Sequence, residues 1–99
     1  MNTFEHIYNI VAQIPTGKVM SYGQIAKLLN GRISAQLVGW AMRKAPDGLP
    51  CHRVVFADGR VCLETIFGGV GIQKDLLESE GVVFKDDEHV DMKVSALYE

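Results

Sequence analysis

A proline followed directly by Cys51-His52-Arg53, and then by the β-branched pair Val54-Val55, leaves residues 49–56 few ways to fold. Pro50 fixes its own φ and pushes Leu49 into extended backbone, so the cysteine is entered from a constrained turn. Val54, Val55 and Phe56 read as a buried strand, begun near Arg53 and cut short by the Asp58-Gly59 turn signal. A thiol is a nucleophile only as thiolate, which a neighbouring imidazole or positive charge favours. His52 and Arg53 supply both residue types. Adjacent strand residues point to opposite faces, however, so the imidazole is expected to reach the thiol only through a water. The alternative is a small buried cysteine beside an unrelated histidine.

Ninety-nine residues suffice for one domain with a single modest core, and residues 1–99 are read as that domain. At 47% hydrophobic and 22% charged, without a low-complexity tract, the composition is that of an ordinary globular protein. No stretch approaches the roughly 18 apolar residues of a membrane span, and no charged-then-apolar leader opens the chain. No membrane partner is expected. Two cysteines without CxxC spacing point to a reducing compartment, here the cytoplasm. The net charge of −2 hides an asymmetry. Residues 1–74 carry eight basic side chains against four acids, and residues 75–99 carry eight acids against Lys85 and Lys93. This suits a basic face for phosphates with an acidic end turned away, or two ordinary solvated faces.

Phe4, Ile7, Tyr8 and Val11 recur at helical spacing behind Thr3, which predicts a helix over 3–13 with Thr3 as N-cap. A turn at Pro15–Lys18 and a short link at Val19-Met20 follow. Ser21-Tyr22-Gly23-Gln24 has the form of a capping box, opening a helix to about Leu29 with Ile25, Ala26, Leu28 and Leu29 inward. Asn30-Gly31-Arg32 breaks it. Ser34 caps a second helix to about Lys44, with Leu37, Val38, Ala41 and Met42 as its apolar stripe. Two short helices around a glycine-containing turn fit a helix-turn-helix, whose second helix enters a DNA groove, and also fit an ordinary helical hairpin. Trp40 lies four residues after Gln36, on the same face, and suits either a pocket wall or a helix–core contact. Arg43 and Lys44 suit phosphate contact or complement the helix dipole.

Beyond Gly59, residues 60–63 are expected to pair back as a hairpin, with Cys62 as packing. A helix over 70–79 with Ile72, Leu76 and Leu77 inward stops at Gly81. Residues 82–84 and 91–94 form a small hairpin around a polar loop and close the core. Cys51, His52, Cys62 and His89 lack finger-like ligand spacing, so no metal is expected.

The run Pro50-Cys51-His52-Arg53-Val54-Val55 resembles the active-site motif of the methylated-DNA–protein-cysteine methyltransferases, the O6-alkylguanine-DNA alkyltransferases. The resemblance extends over Lys18-Val19-x-Ser21-Tyr22-Gly23-Gln24-Ile25-Ala26 and Val38-Gly39-x-Ala41-Met42, and covers roughly residues 4–84. It implies an α/β, mostly α fold: a winged helix-turn-helix-like alkyltransferase DNA-binding domain with a small β-hairpin. It also implies that Cys51 accepts an alkyl group from a flipped-out guanine and is not regenerated, without a cofactor. His52 and Glu80 would complete a nucleophile–base–orienter series. Tyr22, Ser34, Gln36, Arg43, Lys44 and Arg53 would contact DNA, and Trp40, Pro50, Phe67 and Gly68 would line the substrate pocket.

The chain departs from the family pattern in two places. Gln36 stands where the family has the arginine that fills the gap left by the extruded base, and glutamine lacks that residue's charge and stacking plane. Ile66 and Phe67 stand at tyrosine and serine positions of the Asn-Tyr-Ser-Gly-Gly loop that covers the base. A hydroxyl expected at guanine O6 is thereby lost, and selectivity with it. The length matches the catalytic domain alone, a compact form shared by the alkyltransferase-like proteins, which bind alkylated DNA without transfer and usually carry tryptophan or alanine at the position of Cys51. The expected partner is double-stranded DNA containing alkylated guanine, bound by a monomer. The first function implied is stoichiometric alkyl transfer. The second is a non-enzymatic damage sensor that recruits a repair factor, and the third a plain DNA-binding regulator.

Overall fold

The computed structural model describes residues 2–62 and 71–97. Helix α1 spans Thr3–Ala12 and is capped by Asn2, one residue earlier than expected: the Asn2 side chain accepts from the Glu5 amide at 2.9 Å. Both residues are good caps, and here the carboxamide reaches the third helical amide. After Ile14 and the Pro15–Lys18 turn comes β1, Met20–Ser21. The expected link is therefore a strand. It pairs in parallel with β2, Val54–Val55, with Met20 opposite Val54 and Ser21 opposite Val55. Val19 is held on the C-terminal segment, donating to the Ser95 carbonyl at 3.0 Å and accepting from the Leu97 amide at 2.9 Å.

Successive strand residues face opposite ways, so this small pair divides the interior in two. Met20 and Val54 join Ile7, Val11, Ile25 and Val38 in a core under the first three helices. Val19 and Val55 join Val61, Leu77, Val82 and Val90 in a second core.

Helix α2, Tyr22–Leu28, begins as expected, with the Ser21 hydroxyl accepting from the Gln24 amide at 3.0 Å. Leu28 is 45% exposed rather than inward. A helix this short has one buried stripe, centred on Ile25, Ala26 and Leu29, and Leu28 falls off its edge. Asn30 and Gly31, both at φ 65°, reverse the chain in the left-handed region where Gly and Asn are least strained. Ser34 caps α3, Ala35–Arg43, accepting from the Leu37 amide at 3.1 Å. Val38, Ala41 and Met42 are buried, and α3 packs against α1 and α2.

The chain begins the expected return, the Phe56 amide donating to the Arg60 carbonyl at 3.0 Å, but residues 59–61 then turn to a different partner, and Leu63 lies outside the described residues. The Val61 amide donates to the Glu88 carbonyl, and the Val90 amide to that of Gly59, each at 2.9 Å. Two facts send the chain there. Gly59 sits at φ 91° with the Val90 carbonyl packed where a Cβ would be, and the side chain of Gln73 occupies an edge of β2. Helix α4, Ile72–Ser79, buries Gln73 and Leu77, while Leu76, expected inward, is 41% exposed. Gly81 stops it at φ 88°. Phe84 and Val90 form an antiparallel bridge, so the expected terminal hairpin exists there, but 92–95 is a short helix, α5 (Met92–Ser95), capped by Asp91. The architecture is mostly helical around a small parallel strand pair.

Candidate functional site

The cysteine turn is built from its proline. Pro50 lies at φ −79°, ψ 58°, and the Cys51 amide donates to the Leu49 carbonyl at 2.8 Å, which is an inverse γ-turn. Cys51–Arg53 then form one turn of 3₁₀ helix, not the start of the strand. Consecutive side chains here fan out around a turn instead of alternating across a sheet. Cys51 is half-buried, and burial pushes its thiol above the ordinary cysteine value, opposed by its own backbone amide. The thiolate is therefore scarce at neutral pH, and a base is needed to draw the proton off.

His52 is the adjacent imidazole. Its Nε2 lies 3.0 Å from Oε1 of Glu80, the C-cap of α4. Hydrogen bonds from Arg53, reinforced by His52 against the cost of burial, hold the Glu80 carboxyl at about 2. Glu80 is thus an acceptor at neutral pH, and Nε2 must be the donor. In a neutral imidazole this leaves the lone pair on Nδ1, the orientation a general base requires. Arg53 donates through Nε and Nη2 to Glu80, through Nη1 to the Ile14 carbonyl at 2.8 Å, and through Nη2 to the Thr16 hydroxyl at 3.1 Å. Its side chain is only 14% exposed and tied to the segment that follows α1. The hydrogen bonds of Arg53 clamp Glu80, and the DNA contact expected of this residue is a matter for the complex.

Next to this turn, α2 and α3 enclose an open cavity of about 460 Å³ whose walls include Tyr22, Gln36, Trp40, Arg43, Phe56 and Cys62. Tyr22 opens α2 with its ring 5.3 Å from that of Phe56, and the Arg60 guanidinium stands 4.0 Å from the Phe56 centroid. Burial pushes the Tyr22 phenol up to about 12, with the neighbouring Cys62 and Cys51 thiols adding to the effect and Arg43 opposing it. Among the described lining residues Cys51 does not appear; both it and Tyr22 pack against the core beneath the first three helices. Tyr8 donates to the Ala41 carbonyl at 2.9 Å, and its phenol is also raised, by burial and then by Cys51. Trp40 is 52% exposed, so it is a cavity wall and not a helix–core contact.

The expected site residues thus fall into three groups. Cys51, His52 and Glu80 come together with Pro50 at the entry of their turn. Tyr22, Gln36, Trp40 and Arg43 share the cavity, and Ser34 and Lys44 sit at the two ends of α3, both exposed. Phe67 and Gly68, with Ile66, lie outside the described residues. The sequence reading missed Phe56, hidden in an apolar run, and Gln73, whose i, i+4 spacing to the buried Leu77 was the available signal. Among the described residues, no group of three or more His, Cys, Asp or Glu could hold a metal ion, and no helix is long and apolar enough to cross a membrane.

Known proteins resemble this chain in sequence and fold. The family described as 6-O-methylguanine DNA methyltransferase, DNA binding domain, matches residues 2–82. Alkyltransferase-like protein 1 of Schizosaccharomyces pombe is 40% identical over 81 residues, 80% of this chain and 75% of that one. A methylated-DNA–protein-cysteine methyltransferase of Saccharolobus islandicus is 42% identical over 78 residues, 77% of this chain and 48% of that one. Of the relatives named as methyltransferases the chain spans less than half, from 18% to 48% of their length. Among solved structures, S. pombe Atl1 in complex with damaged DNA containing O6-carboxymethylguanine superposes with a TM-score of 0.77 at 30% identity, covering 96% of this chain and 97% of that one.

Proposed function

The chain belongs to the family of 6-O-methylguanine DNA methyltransferase DNA-binding domains, and from that premise we propose that it acts on O6-alkylguanine in double-stranded DNA and takes the alkyl group onto Cys51. The exposed face of α3 enters the duplex, with Gln36 and Arg43 toward it and Ser34 and Lys44 near phosphates at the helix ends. The target atom is inaccessible in the stack, so the base is rotated out and lodges in the cavity beside Tyr22, Trp40 and Phe56. His52 Nδ1 draws the thiol proton through a water, and Sγ attacks the alkyl carbon. The S–C bond forms as the C–O6 bond breaks, and the bonding pair leaves on the guanine, which takes up a proton. One cysteine is consumed for each lesion.

The observation that carries this reading is the hydrogen bond between His52 and the ionised Glu80, on the same turn as the half-buried Cys51. A cysteine serving only as packing has no use for an oriented base beside it. A second reading, a damage sensor that binds the lesion without transfer, is favoured by the raised Cys51 thiol and by the near-complete coverage of Atl1.

Intact mass after incubation with an O6-methylguanine duplex separates the two. Transfer adds one methyl to the wild type and none to Cys51→Ser. Lesion-selective binding with no mass gain leaves the sensor. Equal affinity for damaged and undamaged duplex, with no mass gain, defeats both.

A further inference from the structure

Gln73 is 1% exposed on the first turn of α4, and a buried primary amide is costly unless both its ends are bonded. Both are. Its Oε1 accepts from the Cys62 amide at 2.6 Å, while Nε2 donates to the carbonyls of His52 at 3.0 Å and Val54 at 2.9 Å. One side chain thus joins the turn that carries the thiol and its base to the backbone of Cys62, a wall of the cavity. An alkyl transfer needs that spacing fixed, because the base in the cavity and the thiol on the turn must meet at bonding distance.

We infer that Gln73 is a positioning residue for the reaction: it sets the distance between the Cys51-His52 turn and the cavity wall, and holds the His52 backbone so that the ring stays on Glu80. The inference rests on the transfer reading above. A purely structural glutamine would add stability and nothing else. A positioning glutamine also decides how fast bound lesion is consumed.

The test uses two variants of the full chain. Gln73→Met keeps the volume and loses all three bonds. Gln73→Glu keeps an acceptor for the Cys62 amide and, when ionised, has no donor for the two carbonyls. At saturating O6-methylguanine duplex, Gln73→Met should slow methyl transfer by roughly tenfold or more, with duplex affinity changed less than about threefold. Equal losses in rate and affinity, or an unchanged rate, would overturn the inference.

A second readout needs no DNA. Iodoacetamide labelling, well below the thermal midpoint, gives the ratio of Cys51 to Cys62 modification by peptide mass. That ratio should shift several-fold in Gln73→Glu, and an unchanged ratio would count against positioning. Should wild type transfer no methyl, the transfer reading fails, while the labelling ratio still reports on Gln73. Should Gln73→Met fail to fold, Gln73→Glu carries both measurements.

Discussion

The α2–α3 pair and the Cys51–Arg53 turn lie side by side, but they are held in place by different means. Both starts of the helix pair and the break between them are closed by residues within three positions: Ser21 on Gln24, Ser34 on Leu37, and the left-handed Asn30-Gly31. The turn is closed locally by backbone bonds alone, from Cys51 to Leu49, Arg53 to Pro50 and Val54 to Cys51. Its remaining fastenings come from Glu80, Gln73, Ile14 and Thr16, each at least twenty residues away. A DNA-reading helix has only to present a face, and local caps suffice for that. A nucleophile and its base must hold a relative geometry, and contacts from several directions are needed to fix it. Damage to the two regions should therefore look different.

The largest effect is expected at Arg53. Arg53→Met leaves the Glu80 carboxylate without its main partner and the Ile14 carbonyl without a donor. It should lower stability by about 2–3 kcal/mol, between the values for surface and for fully buried pairs, in urea unfolding. An unchanged urea midpoint would show that the clamp is not holding the turn. The same contact sets an acid limit. The folded pKa of Glu80 is depressed to about 2, below the value of about 4.3 in an unfolded chain. Its stabilisation is thus fully present above pH ~4.3 and is lost as the pH falls toward 2, because the unfolded chain binds the proton first. Arg53→Met should flatten that part of the stability–pH curve, and a parallel curve would be the contrary result.

A smaller effect is expected in the helix pair. Ser34→Ala removes one capping bond and should cost about 1 kcal/mol. Duplex affinity should fall while iodoacetamide labelling of Cys51 stays at the wild-type rate. If labelling changes as much as affinity does, the two regions are mechanically one.

That contrast also explains what was legible in the sequence. The caps of α2 and α3, the break between them and the stop at Gly81 are local chemistry, and each is where the residues put it. Val19-Met20 read as a link because the two-residue strand Met20–Ser21 has no periodicity of its own, and its partner comes thirty-four residues later. Residues 60–63 looked like a hairpin arm because Gly59 is a turn residue in any context. The packing of Val90 on that glycine, with Gln73 bonded along β2, redirects the chain. The Cys51-His52-Glu80 series was legible through family resemblance alone, since nothing in the spacing of residues 52 and 80 brings them together. Arg53 read as a positive charge beside the thiol and as a DNA contact. Its inward turn depends on a bare carbonyl in the segment that follows α1, which no pattern in the chain discloses.

The central claim is that an alkylated base leaves the duplex and enters the cavity beside Cys51. Trp40 is the single tryptophan of the chain and a wall of that cavity, so its fluorescence reports entry directly. Titration of Cys51→Ser with an O6-methylguanine duplex, in which no transfer perturbs the signal, should give a saturable change in intensity at lower concentration than the matched undamaged duplex. A base stacked on or near an indole alters its emission. Superimposable titrations with the two duplexes would contradict the account, because they would mean that the cavity does not distinguish a lesion from ordinary DNA.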